Sequence, residues 1–448
     1  MQENKMGTWP VGRLLLSISL PIALSMLIQA LYNIVDSIFV SMINETAFTA
    51  VSIAFPFQHL INAIAIGSGV GMNSLLSRSL GEKKFDKASR VGQTGFFLVL
   101  VQSLIFLILG YFLSPVFFAF QTDDPQILTY GVRYLRIVTM VSIGLLSQIY
   151  TERLLQSTGR AFYSMACQMT GAVLNMVLDP ILIFGLGPFP AMGITGAAVA
   201  TVFSQIVGSL LGLYFNLTKN KELDILKKGF RPQWDIIRGI FQVGVPTSIM
   251  LIANSVAIFL MNIILVTFSS TAVAAYGIFF KLNSIIFMPV FGMNNGLVPI
   301  IAYNYGARNK DRIHATIKLA MKLAFAFMLL GCLVVQLFPQ ELLSLFSPSD
   351  ALRAIGQPML RIIALSFPVA AISIVSSAVF QALGHGNLSL TSALIRQMVV
   401  LVPVAYFLSL KGQVQLIWWS HVVAEGVAII LSLYFLKKVD QKEIQPLC

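Results

Sequence analysis

Asp36 and Asp179 each interrupt a long uncharged run of the chain. Asp179 belongs to the stretch Asn175-Met-Val-Leu-Asp179-Pro180, in which Asn175 and Asp179 are four residues apart and share one helix face. Pro180 weakens the local backbone ladder and frees a carbonyl near Asn175 as a further oxygen ligand. Two carboxylates, an amide oxygen and a hydroxyl such as that of Thr201 make a hard oxygen set, suited to a proton or a small monovalent cation. The plainer alternatives are that Asp36 reaches a nearby membrane interface and that Asp179 is a helix-end residue before proline. Ionisable groups inside a membrane span cost at least ~2.5 kcal/mol each, so each needs a reason to be there.

The second half of the chain carries Lys281, Arg396 and Glu425. Lys281 and Glu425 fall at similar depth, which allows either an ion pair holding that half together or groups facing a cavity. Arg396 lies nearer the cytoplasm and is expected to snorkel. Gln29, Tyr32, Asn33, Gln58, Asn254, Asn262 and Asn283 are polar positions in apolar spans, expected to line a water-accessible cleft along with Lys281 and Glu425. The chain's 33 Phe, 12 Tyr and 18 Met could hold flat amphipathic cations there by stacking and cation-π contact. His59, His314, His385 and His421 have no partners at ligand spacing, and Ser/His/Asp catalysis has no recognisable site, so neither a metal centre nor an enzyme is expected. Gly67-Ser-Gly-Val-Gly71 superficially resembles a nucleotide loop, but no Gly-Lys-Ser/Thr comes after it. It reads as a close helix contact, and no cofactor is expected beyond the coupling ion, H+ or Na+.

The elements that must position these groups are membrane helices. Of 448 residues 57% are hydrophobic and only 11% charged, with a mean hydropathy of +0.82, which excludes a soluble enzyme. Uncharged runs such as Leu14–Val35 and Gly239–Phe280 exceed the ~20 residues that cross a bilayer. Division at Gly, Pro and charge clusters predicts twelve spans: 14–42, 46–76, 91–117, 131–156, 161–185, 193–217, 239–268, 271–301, 315–338, 356–382, 388–409 and 413–436. The first is too long for a signal peptide and is expected to remain in the mature chain. Net charge is +12, but the Lys and Arg residues collect in alternate connections, such as 78–90, 219–238, 308–322 and 437–442. That pattern reads as membrane orientation with both termini cytoplasmic, and nucleic acid is not expected as a partner.

Shifting the sequence by 225 positions aligns the chain with itself. Between residues 46 and 86, ten of 41 positions are identical, Gly67/Gly292, Gly71/Gly296 and Gly81/Gly306 among them, and Trp9/Trp234, Arg136/Arg361 and Gln156/Gln381 keep the register. Apolar composition alone does not hold Trp, Arg, Gln and Gly in one register. The pattern predicts an all-α integral membrane protein of twelve transmembrane helices, built as two parallel six-helix repeats that form two lobes around a central cleft. The lobes are 1–218 and 239–448, joined by the basic linker 219–238. The counterparts of Asp36, Asn175 and Asp179 are Met261, Val400 and Val404, so the acidic cluster is an addition to one half. Two lobes able to rock around a midplane site suit a transporter better than a purely structural bundle.

The run Thr8-Trp-Pro-Val-Gly-Arg13, then Ser19-Leu-Pro21 and Ala30-Leu-Tyr-Asn-Ile-Val-Asp36, resembles the opening of the multidrug and toxic compound extrusion (MATE) family, particularly its Gram-positive bacterial branch. Leu174 to Gly185, Gly193 to Thr201, and Pro299-Ile-Ile-Ala-Tyr-Asn304-Tyr-Gly306 are similar to the family's fifth, sixth and eighth helices. The resemblance implies export of small cationic amphipathic compounds in exchange for protons or sodium, by a monomer in the cell membrane, with Asp36, Asn175, Asp179 and Thr201 as a first-lobe ion site. Span 7 has no carboxylate, which leaves a second-lobe ion site without support. The alternative within the superfamily is a flippase for lipid-linked oligosaccharides, against which the acidic lobe argues because it repels pyrophosphate. A passive channel is the alternative from another class.

Overall fold

The computed structural model describes residues 4–225, 231–346 and 348–447; Lys227 and Lys228 of the basic linker and Cys448 lie outside the described residues. Every regular element among them is helical. The first half runs α1 (Lys5–Thr8), α2 (Val11–Ser41), α3 (Glu45–Gly81), α4 (Phe85–Ala119), α5 (Pro125–Met140), α6 (Ile143–Ser157), α7 (Ala161–Phe184) and α8 (Ile194–Lys219). The second runs α9 (Trp234–Val266), α10 (Ser270–Gly306), α11 (Lys310–Leu337), α12 (Pro339–Ser344), α13 (Asp350–Ala364) and α14 (Phe367–Ala382). It continues with α15 (Gly386–Leu394), a π-helical segment (Ile395–Leu401), α16 (Val402–Ser409), α17 (Val414–Ile417), α18 (Trp419–Val439) and a closing π turn (Asp440–Ile444). Among the described residues ten helices are long and apolar enough to span a bilayer, and two bent pairs bring the number to twelve when each counts as one span. The predicted spans 131–156 and 356–382 are the bent ones: α5 and α6 meet at 42°, α13 and α14 at 52°.

Helix starts repeat at the 225-residue interval because the capping chemistry does. Asn44 and Ser269 cap α3 and α10, accepting from the amides of Ala47 at 2.7 Å and Ala272 at 3.1 Å. Asp124 and Ser349 cap α5 and α13 in the same way. Even the left-handed turn residues recur, with Lys83 (φ 58°) answered by Arg308 (φ 56°).

The chain packs as two compact units, one of Leu24–Ser248 and one of Met1–Ala23 with Ile249–Cys448. In the 24–248 unit, the first part of α9 lies directly on α3. A Cβ added at Gly71 would stand 2.0 Å from the Ile240 carbonyl oxygen, a backbone atom that no side-chain rotation can remove. Gly71→Ala is therefore expected to cost about 3 kcal/mol, the upper end for overpacking, and to lower the melting temperature of the purified protein. An unchanged melting temperature would show that these helices separate freely. The core of this unit joins Val40, Ala47, Ala50, Ala54, Phe118, Tyr134, Leu135 and Ala197.

In the other unit Arg312 fastens the N-terminal helix. Its guanidinium donates to the carbonyls of Met6 at 3.0 Å and Trp9 at 2.8 Å, and to Asn304 Oδ1 at 3.1 Å. Buried Trp418 stacks on Tyr276 with centroids 6.0 Å apart. The π segment arises from Pro403, which has no N–H for the carbonyl of Val399; the ladder widens there, and the Val402 amide reaches back to the Gln397 carbonyl.

Candidate functional site

Tyr32 and Asp36 lie one turn apart on α2, so they present to the same side. Asn175 and Asp179 do the same on α7, where both are buried, Asp179 completely. Asn175 Nδ2 donates to Asp179 Oδ1 at 3.3 Å and reaches Thr201 Oγ1 of α8 at 3.5 Å. Thr201 is set by its own helix, its hydroxyl donating to the Ala197 carbonyl at 3.0 Å. Asp36 and Asp179 lie near enough for each carboxyl group to bear on the charge of the other. Asp36, Asn175, Asp179 and Thr201 thus come together within the 24–248 unit.

Gly196 makes the α7–α8 contact possible. A Cβ there would fall 2.5 Å from the Leu182 carbonyl oxygen, and its absence lets the start of α8 press on α7 and bring Thr201 to Asn175. α7 then stops cleanly at Gly185, in the left-handed region at φ 75°, with the Leu186 amide closing on the Ile181 carbonyl at 3.0 Å.

Two tyrosines complete the surroundings. Tyr32 and Tyr134 both interact electrostatically with Asp36 and Asp179, and the Tyr134 hydroxyl accepts a hydrogen bond from Gln58 Nε2 at 3.1 Å. Tyr134 is not among the residues that the sequence singles out by charge or spacing. Its repeat counterpart is Met359, and this contrast of a polar residue with an apolar mate, which marks Asp36 and Asp179, is the signal that could have found it.

Three oxygens of the cluster, Asp36 Oδ1, Asn175 Oδ1 and Asp179 Oδ2, are buried without any hydrogen-bond donor. An unsatisfied buried acceptor costs about 1–3 kcal/mol, and more when charged. A group that supplies positive charge or a proton would remove that cost.

The other candidates divide. Gln29 is occupied by Gln168, whose Nε2 donates to its Oε1 at 3.1 Å, and Asn33 is exposed. In the second unit Asn254, Asn283 and Glu425 line one cavity, while Asn262 and Lys281 are outside its lining. Of the two alternatives for Lys281 and Glu425, the ion pair between them is not formed: Glu425 Oε1 accepts from Arg396 Nη1, and Lys281 is exposed, with its ammonium 5.8 Å from the Phe346 ring centroid. Arg396 does not snorkel, because the π segment that carries it faces α18. Three of the histidines also have partners, His314 with Asp440 at 2.6 Å, His385 with Glu443, and His421 with the Tyr276 hydroxyl at 3.2 Å.

The profile of the MatE family matches residues 21–181 and again 246–407, one match in each half. The chain is 27% identical to the multidrug export protein MepA of Staphylococcus haemolyticus over 427 residues, 95% of this chain and 93% of that one. It is 30% identical to a FAD transporter of Shewanella oneidensis over 350 residues, 75% of each. An outward-facing multidrug resistance MATE family transporter of the MOP superfamily superposes with a TM-score of 0.92 at 26% identity, covering 100% of this chain and 99% of that one. With the family's profile found in both repeats and its fold matched from end to end, this membrane protein belongs to the MATE family.

Proposed function

We propose that the protein is a secondary active exporter of cationic amphipathic compounds, driven by the return of protons or sodium ions, with Asp36, Asn175, Asp179 and Thr201 as the ion site. The three buried oxygens without donors carry this reading. A proton on either carboxyl group turns one acceptor into a donor for its neighbour, and a sodium ion is met by the same oxygens. The acidic cluster also attracts a cationic cargo, so ion and cargo compete for one negative region. An ion drives a conformational cycle only through different affinities for its states, and a site buried in one state and opened in another supplies that difference. The two parallel repeats, 1–218 and 239–448, supply the elements expected to move, with both termini cytoplasmic. The multidrug name of the staphylococcal relative supports the cargo class.

Everted vesicles given a cationic dye under a proton gradient alone, or a sodium gradient alone, test the proposal. Accumulation is expected under one of the two. Accumulation under neither, or dye flux that only tracks the dye's own gradient, would replace the exporter with a passive channel. FAD belongs in the same assay because a relative is named for it. Its diphosphate is repelled by the acidic cluster, so no FAD movement is expected, and gradient-driven FAD uptake would overturn the assignment of cationic cargo.

A further inference from the structure

The second unit contains a cavity of about 110 Å³ that the ion site does not use. Its polar side includes Arg396 and Gln397 of the π segment, Asn254 of α9 and Glu425 of α18, with Asn283, Ser366 and His421 also in the lining; its apolar side includes Tyr276, Phe280 and Phe287. Arg396 donates to Glu425 Oε1, and Gln397 Nε2 donates to Asn254 Oδ1 at 3.0 Å. Each leaves an acceptor over: Glu425 Oε2 and Gln397 Oε1 are buried with no donor, and Gln397 as a whole is only 4% exposed. Two orphan acceptors beside an aromatic wall describe a ligand with N–H donors on a flat ring.

Its charge is set by Arg396. The guanidinium already neutralises Glu425, so a second cation entering a low-dielectric site would stand unpaired, at a cost of several kcal/mol. An uncharged donor satisfies the free oxygens without that cost. The cavity is far below the ~300 Å³ of a drug-sized pocket and somewhat smaller than the ~150 Å³ that holds benzene, so it admits nothing larger than a single ring.

We propose that this cavity is a binding site for an uncharged aromatic amine, whose N–H groups are accepted by Glu425 Oε2 and Gln397 Oε1 while its ring lies against Tyr276, Phe280 and Phe287. The repeat gives the site its own pedigree. At the 225-residue offset Arg396, Gln397 and Glu425 correspond to Gly171, Ala172 and Ala200, so this cluster is an addition to the second half, as Asp36 and Asp179 are to the first. The site stands independently of the ion-coupled export proposed above.

The test is equilibrium binding to the purified full-length protein in lipid nanodiscs, with no gradient, read by 19F resonance of 4-fluoroaniline against empty nanodiscs. Saturable binding is expected, at least about tenfold tighter than for 4-fluorotoluene, which has the same shape and no N–H. Gln397→Leu and the double variant Arg396→Met/Glu425→Leu, each of which removes one of the two acceptors, are each expected to weaken the preference. The double variant removes both charges together and so keeps the protein folded, which its melting curve checks. Equal binding of the two probes, an unchanged preference in either variant, or tighter binding of 4-fluorobenzylammonium would each overturn the proposal. Because no transport is measured, failure here leaves the export reading standing, and failure of export leaves this site standing.

Discussion

Asp179→Asn is expected to reduce gradient-driven dye export to the background of vesicles lacking the protein, with no loss of melting temperature. The carboxamide has nearly the size of the carboxylate and keeps an oxygen to accept from Asn175, whose present contact is 3.3 Å. Removing a completely buried acidic group relieves desolvation, and the repeat counterpart is Val404, so packing at this position does not depend on charge. What disappears is the group that takes a proton or contributes negative charge to a sodium ion. Asp36→Asn is expected to act in the same direction, since each carboxyl group bears on the charge of the other. Thr201→Val supplies the graded comparison: it deletes one neutral oxygen at the edge of the set, for which a tenfold loss, about 1.4 kcal/mol, is the expected scale. Normal efflux by either aspartate variant, with the protein folded, would remove these residues from ion coupling.

Much of this site was legible in the sequence because its chemistry is conspicuous against an apolar background. A carboxylate inside a span is costly, four-residue spacing fixes a shared face, and the repeat says whether the scaffold needs the residue. The fold was legible for a related reason. Helix starts at Glu45, Phe85, Pro125 and Ala161 return at Ser270, Lys310, Asp350 and Gly386, each 225 residues on, because capping and packing residues keep the register. Sequence and structure part where the geometry departs from a straight helix. Counting residues from a span's end assumes a constant rise and 3.6 residues per turn, which the bends after Met140 and Ala364 interrupt. The π turn at Ile395–Leu401 adds a residue to the ladder and rotates α15, on its N-terminal side, relative to α16. That is why Arg396, placed near the interface by counting, reaches Glu425 and takes the carboxylate that Lys281, exposed on α10, was placed level with. Tyr134 was hidden for a different reason. As one of 12 tyrosines it bears no charge to mark it, and α5 shows its role only when packed beside α2 and α3.

Breaking the Arg396–Glu425 pair should have the second large effect, on stability rather than transport. The two side chains are 30% and 12% exposed, so the pair is mostly removed from solvent. Glu425→Leu leaves a guanidinium on the π segment with its carboxylate gone, and Arg396→Met leaves Glu425 with neither oxygen paired, since Oε2 already has no donor. Losing one partner of a buried pair costs about 3–5 kcal/mol, whereas replacing both with apolar residues of similar volume is close to neutral. Each single variant should therefore melt well below the parent, Arg396→Met the lower because an isolated carboxylate is the less easily solvated by neighbouring aromatic rings. The double variant should recover most of the loss. His421 sharpens the distinction, because it is held by the Tyr276 hydroxyl and not by Glu425, so His421→Phe should leave the coupling between Arg396 and Glu425 intact. A double-mutant cycle with additive losses would mean that the two charges are stabilised separately. The contact between the π segment and α18 would then rest on packing alone.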